Sequence, residues 1–347
     1  MISIVKNRII ERTTTVMIIA VLLVLLFTGC SKKVVGEVNE GSLLKDTAED
    51  ISETYNLAIG SSLKDGDYIQ FGNYQVEDEG YNPILWIVID SSSHYLNSVN
   101  PAVDHITLLS ANIIDIRGFD AIEPKNTNEL RRSYGNSRYR TSNIRQWLNS
   151  NRGANDWWMA QNLDDGESGT NNADEPPSDE GFLEFTNIGY DDKEGFLRLF
   201  TTDEIGAVLE TTLVVGKNTV TDSGGSERVI DKVFLLSLTE VGFESRAEVE
   251  EGKIFELFES DNSRKAEVSM QCIDNTNCLD KPLENKNWCW WLRSPSPGFP
   301  ASIFMISNIG AVLYSTADMC EGSVGVRPAL NLKSDLYFSG SGTKDDP

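Results

Sequence analysis

Residues 288–295 read Trp288-Cys289-Trp290-Trp291-Leu292-Arg293-Ser294-Pro295, and three of the chain's seven tryptophans fall inside them. Trp288, Trp290 and Leu292 alternate with Cys289, Trp291 and Arg293, the two-residue period of a β-strand. One reading buries a face of this strand and pairs Arg293 with a carboxylate, locking it to a neighbouring strand. The other turns one tryptophan, Trp291, toward a ligand. Indole stacks on sugar rings and flat groups, and an arginine can hold a carboxylate. Further on stands Gly325-Val326-Arg327-Pro328-Ala329-Leu330, where Arg327 invites the same two readings. The candidate ligand-binding residues are therefore Trp290, Trp291, Arg293 and Arg327.

Working outward, short strands and short helices alternate irregularly. Asp67–Gly72 reads as a strand. Ile84–Ile89 (ILWIVI) is an apolar run between Pro83 and Asp90, as expected of a buried strand. Ile106–Ser110 and Val233–Leu236 are similar. A helix is expected over Ser142–Asn149, with Ser142 as N-cap and Ile144, Trp147 and Leu148 on one face. Thr201-x-x-Glu204 is a capping box opening a helix through Leu209, and Ser237-x-x-Glu240 is a second box. Residues 161–181 are acidic, with glycine and two prolines, and read as an exposed loop. No regular strand–helix alternation supports a doubly wound sheet, so the fold class is α+β.

These pieces resemble the bacterial domain of unknown function 6273. That family carries a W-W-L-R-S-P block, a glycine-containing hairpin (here Ile303–Gly310) and then G-V-R-P-A-L. Asp67–Gly72, Pro83–Asp90, Ser142–Asn149 and Val233–Ser237 match its earlier parts, so the resemblance covers roughly residues 63–333. It implies a domain of secreted and surface proteins with no assigned activity and no established catalytic residues. The C-terminal part is also similar, more loosely, to the C-type-lectin-like fold shared by formylglycine-generating enzymes. There a tryptophan-and-arginine strand block and a G-x-R strand pack at the centre. The expected layout is a leader at 1–29, a tether at 30–62 with a short helix near Leu43–Ala58, an irregular mixed domain at 63–333, and a loose tail at 334–347.

The leader carries Lys6, Arg8 and Arg12, an apolar run from Val16 to Phe27, and then Thr28-Gly29-Cys30. That order is a secretory signal, and its end resembles a lipobox in which Cys30 is lipidated. Phe27 stands where leucine is usual. The run is well short of the ~20 residues a spanning helix needs. The expected location is the extracytoplasmic face of the cell membrane, held by acyl chains such as palmitate on Cys30. The net charge of -23 repels nucleic acid and anionic lipid headgroups. Cys272, Cys278, Cys289 and Cys320 remain, and outside the membrane they can form disulfides. Three pairings are possible, with Cys272–Cys278 and Cys289–Cys320 favoured. A zinc site lacks the usual spacing.

The chain has two histidines, His94 and His105, both read as surface residues. With no nucleophile elbow, a Ser-His-Asp triad has little to build on. No phosphate-binding loop or dinucleotide fingerprint occurs. No cofactor is expected. Copper on paired cysteines, as in formylglycine-generating enzymes, ranks below disulfides. The run Asp164-Asp165-Gly166-Glu167, Asp174-Glu175 and Asp179-Glu180 offers calcium only a weak site. The function expected is noncovalent binding of a glycan, a cell-wall fragment or a protein partner, with contacts from loops 150–181 and 296–322 and, for an acidic target, few charges on the binding face. The alternatives are a carboxylate-dependent hydrolase of a cell-wall polymer and a structural component of an envelope complex.

Overall fold

The computed structural model describes residues 57–77, 80–92, 103–155, 176–182, 189–244, 249–275, 286–318 and 324–347. The leader, Cys30, most of the tether, His94 and the acidic run 161–175 lie outside the described residues. So do Cys278 and Cys320, and with them both favoured disulfides.

Two five-stranded sheets organise the chain. The first contains β2 (Tyr68–Glu77), β3 (Gly80–Asp90), β4 (His105–Ser110), β15 (Ala329–Lys333) and β8 (Val233–Phe234), in that spatial order and antiparallel throughout. The apolar run in β3 has the cause expected of it. Trp86 and Val88 on one face and Ile87 and Ile89 on the other are all buried, and the Trp86 indole donates to the Phe71 carbonyl at 2.7 Å. Every residue of β4 is buried, including His105, which was expected on the surface. As the first residue of an interior strand, it sits under cover instead.

The second sheet runs β13 (Val312–Thr316), β12 (Ser302–Ile306), β11 (Trp290–Pro295), β14 (Gly325–Val326) and β5 (Asp115–Ile116). Only the β11–β14 contact is parallel. The sheets are joined by two paired strands that cross between them side by side. Thr107 pairs with Asn331 and Leu109 with Ala329 in the first sheet. The Ser110 amide then donates to the Pro328 carbonyl at 2.9 Å, and the Ile114 amide to the Val326 carbonyl at 3.0 Å. Ile116 meets Gly325 in the second sheet. Arg327 stands at the crossing.

Three two-stranded ladders flank this frame: β6 (Thr211–Gly216) with β7 (Ser226–Asp231), β9 (Ala266–Glu267) with β10 (Asn287–Trp288), and β1 (Leu57–Ile59) with β16 (Tyr337–Ser339). The last ladder joins the segment read as tether to the segment read as a loose tail. Residues 57–58, read as the end of a helix, are extended.

The helices are short: α1 (Glu129–Tyr134), α2 (Asn143–Leu148), α3 (Thr202–Ala207), α4 (Asp261–Arg264) and α5 (Met270–Asn275). Ser142 caps α2, which buries Ile144, Trp147 and Leu148 as its spacing requires. Thr201 and Glu204 close a reciprocal capping box at α3, which ends at Ala207 instead of Leu209. Ser237 and Glu240 form the same reciprocal bonds, at 2.8 and 3.1 Å, but around a turn and not a helix. The architecture is α+β.

Candidate functional site

The tryptophan block is interior. Trp290 and Trp291 are both fully buried, because β11 lies mid-sheet and both of its faces are covered. Each indole has found an acceptor, as buried indoles usually do. Trp290 donates to the Arg264 carbonyl at 3.0 Å and Trp291 to the Arg117 carbonyl at 2.9 Å. Phe119 packs edge-on to Trp291, with ring centroids 5.6 Å apart. Neither ring offers a face to a ligand from solvent.

Arg293 is also fully buried, and its fork grips Glu240 at 2.6 and 2.7 Å. It donates further to the carbonyls of Leu235 and Glu251, at 2.8 and 2.7 Å. The neighbouring Glu251 carboxyl accepts from the Gly216 amide at 2.7 Å and from the Ser294 hydroxyl. Burial raises its pKa and outweighs the opposing pull of Arg293. This is a charge network that fixes strands and turns, with no open face.

Arg327 differs. It is 5% exposed, yet its Nε donates only to the Ser110 carbonyl, at 3.0 Å. Its guanidinium lies over the Trp290 ring, 5.1 Å from the centroid. Nη1 is shut away from solvent without an acceptor, and no carboxylate pairs with it among the described residues. Burial lowers its pKa to about 10, opposed only by the Tyr68 phenol. A cation–π contact supplies about 0.5–2 kcal/mol. Desolvating an ion costs several kcal/mol, so the ring does not offset the burial of this charge.

A cleft of about 200 Å³ opens where β3 runs past the end of β4. Pro83, Ile84, Leu85 and Ile114 supply apolar walls, and Tyr74, Asn112 and Ser269 the polar ones. The Tyr74 hydroxyl donates to Asp115, and Asp115 pairs with buried Arg117 at 3.2 Å. Burial first, then the Asp115 charge, holds the Tyr74 phenol well above its usual pKa. It is thus a fixed neutral donor. No group of histidine, cysteine and carboxylate side chains converges to hold a metal among the described residues. Cys272 is buried in α5 and Cys289 is half-buried, with burial pushing the Cys289 thiol pKa up. Asp179, from the acidic loop, accepts from the Gly189 amide at 2.7 Å.

The exposed aromatic surface lies elsewhere, on the hairpin that follows the tryptophan block. Phe299 is 52% exposed and Tyr314 is 55% exposed. Their rings stack at 5.8 Å with planes 14° apart. Phe304, buried opposite Tyr314 on β12, meets it edge-on. Ile309 and Leu313 are exposed on the same hairpin. The loop carrying Phe299 is held rigid. Asn218 and Thr219 donate to the carbonyls of Ser296 and Pro297 at 2.8 and 2.7 Å, while Ser137 and Arg131 reach the Pro300 carbonyl at 2.8 and 3.2 Å. Pro295, Pro297 and Pro300 restrict the backbone further. Between Arg293 and Asp318 no charged residue occurs, in a chain that is 24% charged. The sequence reading placed contacts in 296–322 but missed Phe299 and Tyr314. The charge-free run was the signal that could have found them.

A family model described as Domain of unknown function (DUF6273) matches residues 104–334, well over half of the chain. No curated protein and no solved structure matches it.

Proposed function

The chain belongs to the DUF6273 family, and from that premise we propose that it is a surface binding protein whose Phe299–Tyr314 platform holds a neutral glycan. The observation that carries this reading is the stacked, half-exposed aromatic pair on an uncharged, rigid hairpin. Exposed aromatic area on a fixed loop loses little conformational freedom on binding. Sugar rings present apolar C–H faces that suit it, and the exposed Asn308 and half-buried Thr316 of the hairpin supply hydrogen bonds to hydroxyls. The net charge of -23 disfavours anionic polymers at long range, which leaves neutral chains as the better fit. The C-type-lectin-like likeness belongs to this same proposal, as do the lipid on Cys30 and the extracytoplasmic location. A second reading, a protein partner, is favoured by β13, an edge strand with Leu313 and Tyr314 exposed and no charge guarding it.

The test is binding of neutral glycans and cell-wall fragments by the chain from Ser31 onward, beside Phe299→Ala and Tyr314→Ala. Each variant should keep its fold and weaken binding roughly tenfold or more, in line with the ~1.4 kcal/mol such a factor represents. Binding that both variants retain, or no glycan binding at all, defeats the glycan reading. A protein captured through β13 would then replace it. Changing Cys30 to Ser should release the protein from membranes or leave an uncleaved precursor.

A further inference from the structure

β4 parts from β3 while β3 still runs on, and the cleft beside Tyr74 is the gap this leaves. The two chains last touch where the Leu85 carbonyl accepts from the Ala111 amide at 2.9 Å. Two residues on, the Ile113 amide has turned to the Glu267 carbonyl at 2.8 Å, and the Ile113 carbonyl accepts from the Ser269 amide at 2.9 Å. Peptide groups alternate along a strand, so the Pro83 carbonyl is aimed at the same edge as that of Leu85. Pro83 has no N–H to leave unpaired there, as suits an open edge. Ile84 and Ile114, each 5% exposed, make the apolar floor of a cleft of about 200 Å³. The hydrogen bonds of residues 111, 113 and 269 hold its walls in place, so the space does not depend on a ligand to form it.

No charged side chain lines this cleft among the described residues. Its polar groups are a matched set. The Asn112 side chain lines the cleft and makes no hydrogen bond among the described residues, so its amide offers a donor and an acceptor side by side. The Ser269 hydroxyl oxygen accepts from the Cys272 amide at 3.2 Å and keeps its hydrogen to give. Tyr74 has given its hydrogen to Asp115 and can only accept. We propose that the cleft binds a compact, uncharged carboxamide. Two amides pair head to tail, each donating to the other, and Asn112 supplies one half of such a pair. The Ser269 hydroxyl and the Pro83 carbonyl serve the ligand's remaining lone pair and hydrogen, and its apolar body packs on Ile84, Leu85 and Ile114. A cavity of about 150 Å³ holds benzene, so this one has room for roughly eight heavy atoms. The site is distinct from the Phe299–Tyr314 surface, and either can fail without the other.

The test uses the full chain and three probes of one shape: isovaleramide, isovalerate and isopentylamine, titrated at constant ionic strength. In the parent, the Asn112 side-chain amide NMR resonances should shift saturably with isovaleramide. The Kd should be on the order of millimolar, as so few atoms allow. The anion and the cation should each bind at least roughly tenfold more weakly, because either would enter the cleft without a counter-charge. Asn112→Leu keeps the volume and removes the pairing amide. It should weaken isovaleramide binding roughly tenfold, the loss expected for two hydrogen bonds, as read by saturation transfer to the ligand. The resonance shift in the parent does not depend on that variant folding. Unmoved Asn112 resonances, equal affinity for a charged probe, or unchanged binding by folded Asn112→Leu overturns the proposal.

Discussion

Arg293 and Glu240 form a fully buried two-point ion pair, with both side chains excluded from solvent. Glu240 also caps the turn that begins at Ser237, so one carboxylate serves a strand and a turn at once. Removing one partner strands the other charge. Glu240→Gln or Arg293→Met should each cost about 3–5 kcal/mol, read as a lower urea midpoint at unchanged slope. Arg327→Met, by contrast, removes a charge that no carboxylate pairs among the described residues. Its midpoint should stay within about 1 kcal/mol of the parent or rise above it. A large loss in both arginine variants would contradict the difference in their surroundings.

Trp291→Ala should act on stability, with a cost of about 3–5 kcal/mol for a large buried ring. Trp291→Phe keeps much of the packing but leaves the Arg117 carbonyl without its donor, which costs about 1–3 kcal/mol. Urea denaturation reads both. Any glycan bound by the parent should still bind folded Trp291→Phe with unchanged affinity.

Gly310 closes the β12–β13 turn at φ +88°, and a Cβ there would stand 1.8 Å from the Asp261 carbonyl oxygen. Gly310→Ala should therefore lose at least about 2 kcal/mol. Asparagine tolerates positive φ, yet Gly310→Asn should do no better, because the contact forbids any Cβ. A thermal melt of the two variants checks this.

Three buried carboxyls have pKa values raised by burial: Asp120, pushed up further by Glu123; Asp231, opposed by Arg145; and Glu251, opposed by Arg293. A carboxyl raised in the folded state binds its proton more tightly there than in the unfolded chain. Its contribution to stability is complete below the ordinary value near 4 and is lost as pH rises through the folded value. The fold should thus gain stability as pH falls from neutral toward about 5. The gain should persist in high salt, which screens surface repulsion but not buried groups. Urea midpoints across that range, with and without salt, test the sign.

Local signals in the sequence were legible where backbone chemistry decides the outcome. The Ser142 cap, the Thr201–Glu204 box and the apolar run of β3 all lie where their patterns put them. The second capping box is present too, but its hydrogen bonds close a turn and not a helix, and Arg293 grips its glutamate. Alternation along Trp288–Arg293 was correct as a period. It could not reveal that both faces are covered, since that depends on chain from residues 117, 119 and 264. The pairing of β1 with β16 was invisible for a related reason: each strand is three residues long and has no pattern of its own. Phe299 and Tyr314 carry no periodic pattern that marks them as exposed, and only the charge-free run around them sets them apart.

The crossing of β4 and β15 also sets an order of events. Thr107 and Asn331, hydrogen-bonded at 2.8 Å, are 224 residues apart in the chain. Until β15 has emerged from the ribosome, β4 and β8 have nothing between them, and the first sheet stays open. The domain therefore closes late and slowly, as high contact order dictates.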